Sequence, residues 1–512
     1  MNRKHFVLML AVALTVIALA AFLWRPGQAG AIAQAPSTAE TPAANVLATG
    51  RGQPWINLRD GLSIAATYSG PAAAMRALAA GRAEPLSLTS ADFDGDGTAD
   101  LAAGYRDVAA GLIVVQAGNP DFMYPDSPAA AAHRAAGTFV AAPFLPAAAI
   151  FAAPVSPDFL ATGDFDADGR QDLALAARGS AALYFLPGDG RGGFGPSRVT
   201  SLPGAVTALA VGEINRRDGL ADVAVGVVGA NGRSPLLLIF EGPEGALRAK
   251  PELFDLPAPA TGLALAGLDD DPYRDLAIAA GNNLLLVRGR DRWLSLPDGM
   301  QPQVAPAQVE RQTLPFAIVS LAAGDFVWSQ AYHLELALLA DDGSLHLLNG
   351  AGKELNREDL DHEVTKEGEA HEARSREDVS SQHLSFTPFV LRDLRETSRL
   401  RDPNALPLPS LLTSRVSFAP LDTIIVLDPA DQKIHIALIA PGAQSPMPNL
   451  QSLTSLDAAS APVAILPLRL NLDAMSDLVI LRRGATQPDV VLTAPSASVM
   501  VNSAGDEDDP YQ

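Results

Sequence analysis

Apolar residues in this chain come in short runs. Segments 173–176, 223–227 and 276–279 are each followed by a second run, at 182–186, 236–240 and 284–287, and 113–115 and 345–348 are of the same kind. Others, such as 206–211 and 263–266, come just before acidic stretches. Most are three to six residues long and bounded by Gly, Pro, Asp or Asn, which predicts short β-strands. Helix-length periodicity is nearly absent; only the alanine-rich segments 72–83 and 129–136 predict short helices.

The acidic stretches between the runs repeat. Asp92-Phe93-Asp94-Gly95-Asp96-Gly97-Thr98-Ala99-Asp100-Leu101-Ala102 is matched by Asp164-Phe165-Asp166-Ala167-Asp168-Gly169-Arg170-Gln171-Asp172-Leu173-Ala174. Weaker copies carry Glu213, Asn215, Asp218 and Asp222; then Asp269, Asp271 and Asp275; then Asp325 and Glu335; and last Asn471, Asp473 and Asp477, with Arg469 at the first position. A further degraded copy is placed near Leu421-Asp422. Taking the last acid of each as a marker gives seven units about 63 residues apart on average, with long steps before Asp172 and Asp422. Such units, each with two apolar faces, are most economically stacked as a closed radial array, which leaves no exposed end face.

The ligand pattern points to calcium. Asp92, Asp94 and Asp96 stand at the first, third and fifth positions of their loop, the carbonyl of Thr98 at the seventh and Asp100 at the ninth. Asp164, Asp166, Asp168, the carbonyl of Arg170 and Asp172 repeat the scheme, and Asp269, Asp271 and Asp275 keep three of its acids. Alternating hard oxygen ligands on a tight loop suit Ca²⁺, and so many carboxylates would repel one another without a cation. The alternative is a set of acidic turns without metal. No acid falls where an EF-hand requires its bidentate ligand, and strands rather than helices flank the loops.

These residues resemble the FG-GAP and VCBS-type repeats, whose members include the seven-bladed propeller of integrin alpha subunits. The two Asp-Phe-Asp-x-Asp-Gly-x-x-Asp-Leu loops carry the resemblance, and Gly192-Gly193-Phe194-Gly195-Pro196 supplies the Phe-Gly element. The resemblance implies an all-β fold: a seven-bladed β-propeller of four-stranded blades, with structural calcium in loops between the first two strands. It implies no chemistry, since relatives include adhesins, carbohydrate-binding modules and domains attached to enzymes.

Charge and composition narrow the classes further. A net charge of −21 over 512 residues excludes a phosphate-backbone binder, so no nucleic-acid partner is expected. With no cysteine, disulfides, thiolate metal sites and a cysteine nucleophile are impossible. Arg3 and Lys4 precede an apolar run at 6–24 and a small-residue stretch in which Ala31-Ile32-Ala33 and Ala33-Gln34-Ala35 fit a signal-peptidase site. Residues 1–35 are therefore read as a signal peptide or N-terminal membrane anchor of an exported bacterial protein, secreted or periplasmic, with no other membrane insertion. Residues 36–55 are read as a flexible linker, 56–503 as the propeller and 504–512 as an acidic tail. An insertion at about 351–407 is highly charged, with fifteen charged residues between 353 and 378, and reads as a solvated loop or a partner-binding arm.

No zinc-type His-x-x-x-His pair, nucleophile elbow or phosphate loop is present. His333, near Glu335 and Asp325, reads as a replacement for a lost calcium ligand. The expected function is a non-catalytic binding or adhesion module for a protein or carbohydrate at the cell envelope. Alternatives are an envelope scaffold or a polysaccharide-active hydrolase or lyase. Candidate aromatic platforms are Tyr105, Phe122, Tyr124, Phe151 and Trp328.

Overall fold

A computed structural model describes residues 44–48, 58–107, 111–229, 234–294, 304–327, 333–355, 409–416, 421–440 and 449–493. Three short elements open the described chain: β1 (Val46–Ala48), β2 (Leu62–Ser63) and β3 (Thr67–Ser69), followed by helix α1 (Ala72–Ala79). Blade one is β4 (Glu84–Ala91), β5 (Asp100–Arg106), β6 (Gly111–Gly118) and, after helices α2 (Pro120–Met123) and α3 (Pro128–Ala136), β7 (Phe144–Ala153). Blade two is β8 (Phe159–Gly163), β9 (Asp172–Ala176), β10 (Ala182–Leu186) and β11 (Arg198–Ser201). Blade three is β12 (Gly204–Gly212), β13 (Asp222–Gly229), β14 (Leu236–Phe240) and β15 (Glu252–Asp255). Blade four is β16 (Ala260–Ala266), β17 (Asp275–Ala280), β18 (Asn283–Val287) and β19 (Val309–Thr313). Blade five contributes β20 (Ile318–Gly324), β21 (Glu335–Ala340) and β22 (Leu345–Leu348) among the described residues. Blade six is β23 (Ser410–Ser414), β24 (Thr423–Asp428), β25 (Lys433–Ala440) and β26 (Asn449–Ala458), and blade seven is β27 (Pro462–Leu468), β28 (Asp477–Arg482) and β29 (Asp489–Val491).

This is the expected seven-bladed β-propeller, each blade an antiparallel meander. The second strand of every blade is buried almost throughout, because a neighbouring blade covers each of its faces. It therefore reads as an unbroken apolar run, whereas the first strand of blade one alternates. The core is a series of slabs between blades. Phe165, Phe185 and Phe240 fill the gap between blades two and three, and Ile425, Ile436 and Ile480 that between six and seven. The inner strands line the axis, where Leu86, Leu160, Leu412 and Ile465, with Asp158, enclose a cavity of about 270 Å³.

The ring closes through the N-terminal stretch, as its position requires. Strand β2 pairs with β29 as the outer strand of blade seven, and the Tyr68 and Tyr105 hydroxyls both donate to the carbonyl of Thr486. Part of the segment read as linker is also structural: β1 adds to the edge of β26, with Val46 fully buried. An apolar residue there finds an open sheet edge, which composition alone did not reveal. The leader and the acidic tail lie outside the described residues, as does nearly all of the charged insertion. Among the described residues no helix is long and apolar enough to cross a membrane.

Candidate metal centre

The acidic loops join the first strand of a blade to the second, and their shape comes from carboxylates folding back on the backbone. Asp92 accepts the amides of Gly95 (2.7 Å) and Asp96 (3.1 Å) on one oxygen and that of Gly97 (2.9 Å) on the other. Asp96 accepts the Thr98 amide (2.8 Å) and hydroxyl (2.5 Å). In the second loop Asp164 accepts from Asp168 and Gly169, and Asp168 from Arg170. The tight wrap needs left-handed backbone at Gly95 and Gly97 and, in the second loop, at Gly169 and even at Ala167 (φ 60°).

Two sets of carboxylates converge. Asp92, Asp94 and Asp96 each place an oxygen within 4.8 Å of the others, as do Asp164, Asp166 and Asp172. Among the described residues these are the only such groups of three; Asp269, Asp271 and Asp275 are not drawn together in this way. Asp166 is the most telling member. One oxygen accepts from Arg198 (3.0 Å), while Oδ1 is buried without a hydrogen-bond partner. An orphaned buried carboxylate oxygen beside two more acids is a donor set that fits a hard cation.

The ninth-position acid has a further part. Asp100 is buried and accepts the Phe93 amide (2.8 Å) on one oxygen and the Gly118 amide (2.8 Å) on the other. Asp172 does the same with Phe165 and Gly188, Asp275 with Leu268 and Gly289, and Asp477 with Leu470 and Thr493. Asp222 and Glu335 hold the first of these amides, from Ile214 and Phe326. This acid thus ties the loop to the end of the third strand. Burial pushes the Asp100, Asp172 and Asp477 carboxyls up to about 6, Glu335 to about 7 and Asp222 to about 9. In blade six the equivalent position is Thr423, paired with Ser414 across the first two strands, and not Asp422 as the acid search suggested. Asp422 instead accepts the Asp325 amide of the preceding blade.

Arginines stand at two degenerate loops: Arg469, visible at the first position of its loop in the sequence, and Arg288, which lies outside the loop and carried no such signal. Arg288 places Nη1 3.5 Å from Asp275 and 3.7 Å from Asp269. Arg469 turns into its own loop and donates to the carbonyls of Asp473 and Leu472. His333 does not join Glu335: its Nε2 lies 2.5 Å from Asp270 of the previous blade. Tyr105 is fully buried and is no platform; Tyr124, at the end of α2, is exposed, and Trp328 lies outside the described residues.

The Phe-Gly element has a clear role. The Phe194 ring packs edge-on against Phe93 (5.3 Å) and Phe151 (5.1 Å) of blade one, and the Gly192 amide donates to the Phe93 carbonyl. It locks the first acidic loop to blade two. Gly245 repeats the approach one blade on, where an added Cβ would sit 2.3 Å from the Phe165 carbonyl oxygen.

Residues 164–225, which run from the second acidic loop to the start of the second strand of blade three, match the FG-GAP-like repeat family. The chain is a seven-bladed β-propeller in which one segment, residues 164–225, matches the FG-GAP-like repeat. Similar solved structures include BBS1N in complex with ARL6DN, soaked with lead, at 11% identity and TM-score 0.47 over 88% of this chain and 99% of that one. The same complex soaked with mercury has 11% identity and TM-score 0.44 over 87% and 98%. The Dos1 propeller has 10% identity and TM-score 0.37 over 77% and 74%. No curated protein matches the chain.

Proposed function

We propose that this protein is an exported, calcium-stabilised propeller that acts as a non-catalytic binding module for a protein or carbohydrate at the cell envelope. The observation that carries the calcium reading is the buried, unpartnered Oδ1 of Asp166 beside Asp164 and Asp172. Asp92, Asp94 and Asp96 make up the second site. Each ion would neutralise clustered carboxylates and brace a loop that the next blade packs against.

The binding reading rests on topology. In an up-and-down blade the first and third connections lie at the same end, so the acidic loops share a face with the α2–α3 excursion between β6 and β7. Loops held on a rigid scaffold are where binding residues concentrate. Metal analysis of the purified protein, with thermal melts in chelator and in calcium, tests the first part. Two ions per chain and a Tm that falls on chelation are expected; less than one ion and no thermal shift overturn it. Retention on envelope glycans that competing sugar abolishes supports a carbohydrate ligand, whereas a protein complex that survives added sugar supports a protein.

A further inference from the structure

The fourth acidic loop keeps the acids Asp269, Asp271 and Asp275, yet a guanidinium lies among them. Arg288 is the residue between the end of β18 and Gly289, whose amide caps Asp275. Glu310 of the outer strand holds its Nε (2.9 Å) and Nη2 (3.2 Å), and the Gly350 carbonyl of blade five also accepts from Nη2 (3.0 Å). These partners leave Nη1 pointing at the loop. It is buried, without a hydrogen-bond acceptor of its own, and within ion-pair distance of both Asp269 and Asp275. The same position, just before the capping glycine, is Ala117 in blade one and Pro187 in blade two, neither of which brings a charge.

We propose that Arg288 is a built-in counter-ion: its guanidinium takes the place of a metal in the fourth loop and makes that blade independent of calcium. A fixed cation and a divalent ion would repel each other across so short a span, so the two are exclusive occupants of the loop. The inference rests on the calcium reading of the first two loops. It adds that one residue, outside the loop, decides whether the fourth loop takes metal.

The test counts calcium bound to the full chain, by equilibrium dialysis against calcium alone after stripping with chelator. Asp271→Asn keeps the acceptor for the Tyr273 amide and, in the wild-type background, should leave the number of ions unchanged. Arg288→Met should gain about one ion per chain, and Asp271→Asn added to it should remove that ion again. Loss of an ion from the wild-type protein on Asp271→Asn overturns the proposal, as does a folded Arg288→Met protein that gains none. If Arg288→Met does not fold, the Asp271→Asn arm still decides. A wild-type protein with no calcium at all sinks the reading of the first two loops, while a gain on Arg288→Met would still report on the fourth.

Discussion

The second and fourth blades start from nearly the same loop and neutralise it differently. Both place an acid at the ninth position, buried and tied to two backbone amides. In blade two that acid, Asp172, also converges with Asp164 and Asp166, and Asp166 keeps one buried oxygen without a partner. In blade four an arginine from the third strand's end stands between two of the acids. The pattern of acids is thus a record of two functions, a backbone tie and a cation site, which have come apart. The full tie recurs in blade seven and its loop half in blades three and five, where the convergent set is absent among the described residues. In blade six a threonine, Thr423, stands at the tie position in place of an acid.

The largest effect is expected from cutting the tie itself. Asp172→Ala and Asp275→Ala each strand two buried amides, at a cost of about 4 kcal/mol in urea unfolding. Asp275→Ala should cost more in chelator, because it also removes a partner of the buried Arg288 guanidinium. Should Asp172→Ala in chelator unfold like the wild type, the tie is not structural and the comparison fails. Calcium is next. At a hundredfold excess over its dissociation constant each ion adds about 3 kcal/mol, so chelation should lower the Tm and calcium should restore it better than magnesium. Asp94→Ala and Asp166→Ala should each lose about one ion and lessen the response to chelator.

A third effect depends on pH. Burial raises the Glu335 carboxyl to about 7 from an ordinary 4.5, so the folded protein holds a proton that the unfolded chain releases. The stability this contributes is full below pH 4.5 and is lost as pH rises through 7, at most about 3 kcal/mol. Glu335→Gln should remove that slope, so the variant gains on the wild type between pH 5 and pH 8 in paired melts. An unchanged difference across that range would show that the carboxyl is not buried as described. The smallest effect is at Tyr124: its change to Ala should alter stability by less than about 0.5 kcal/mol, since the ring is exposed. A loss of ligand retention without a change in Tm would place the partner on the α2–α3 excursion.

Much of the ring was legible from residue order. The second strands, covered on both faces, must be apolar throughout, so seven of them show as seven runs even where the loop before them has decayed. The two full loops were legible for a similar local reason, since alternate residues of a tight turn face its centre. Asp422 misled because an acid near the expected spacing was taken for the last acid of its copy, while the strand register assigns that position to Thr423. The strand Val46–Ala48 was missed because three residues carry no periodic signal, and its partner β26 lies some four hundred positions away.

The chain's order of residues by itself determined the strand pattern, the sevenfold repeat and which loops crowd acids together, because each follows from neighbours within one turn or one strand. Tertiary structure alone decided how those charges are met. Arg288 reaches Asp275 from the next hairpin and is aimed by Glu310 and Gly350, while Arg198 reaches Asp166 from the outer strand. Phe194 finds Phe93 only across a blade boundary. Coulombic and packing energies depend on distance in space, and it is strand pairing within a blade and the stacking of blades that turn residues remote in the chain into neighbours.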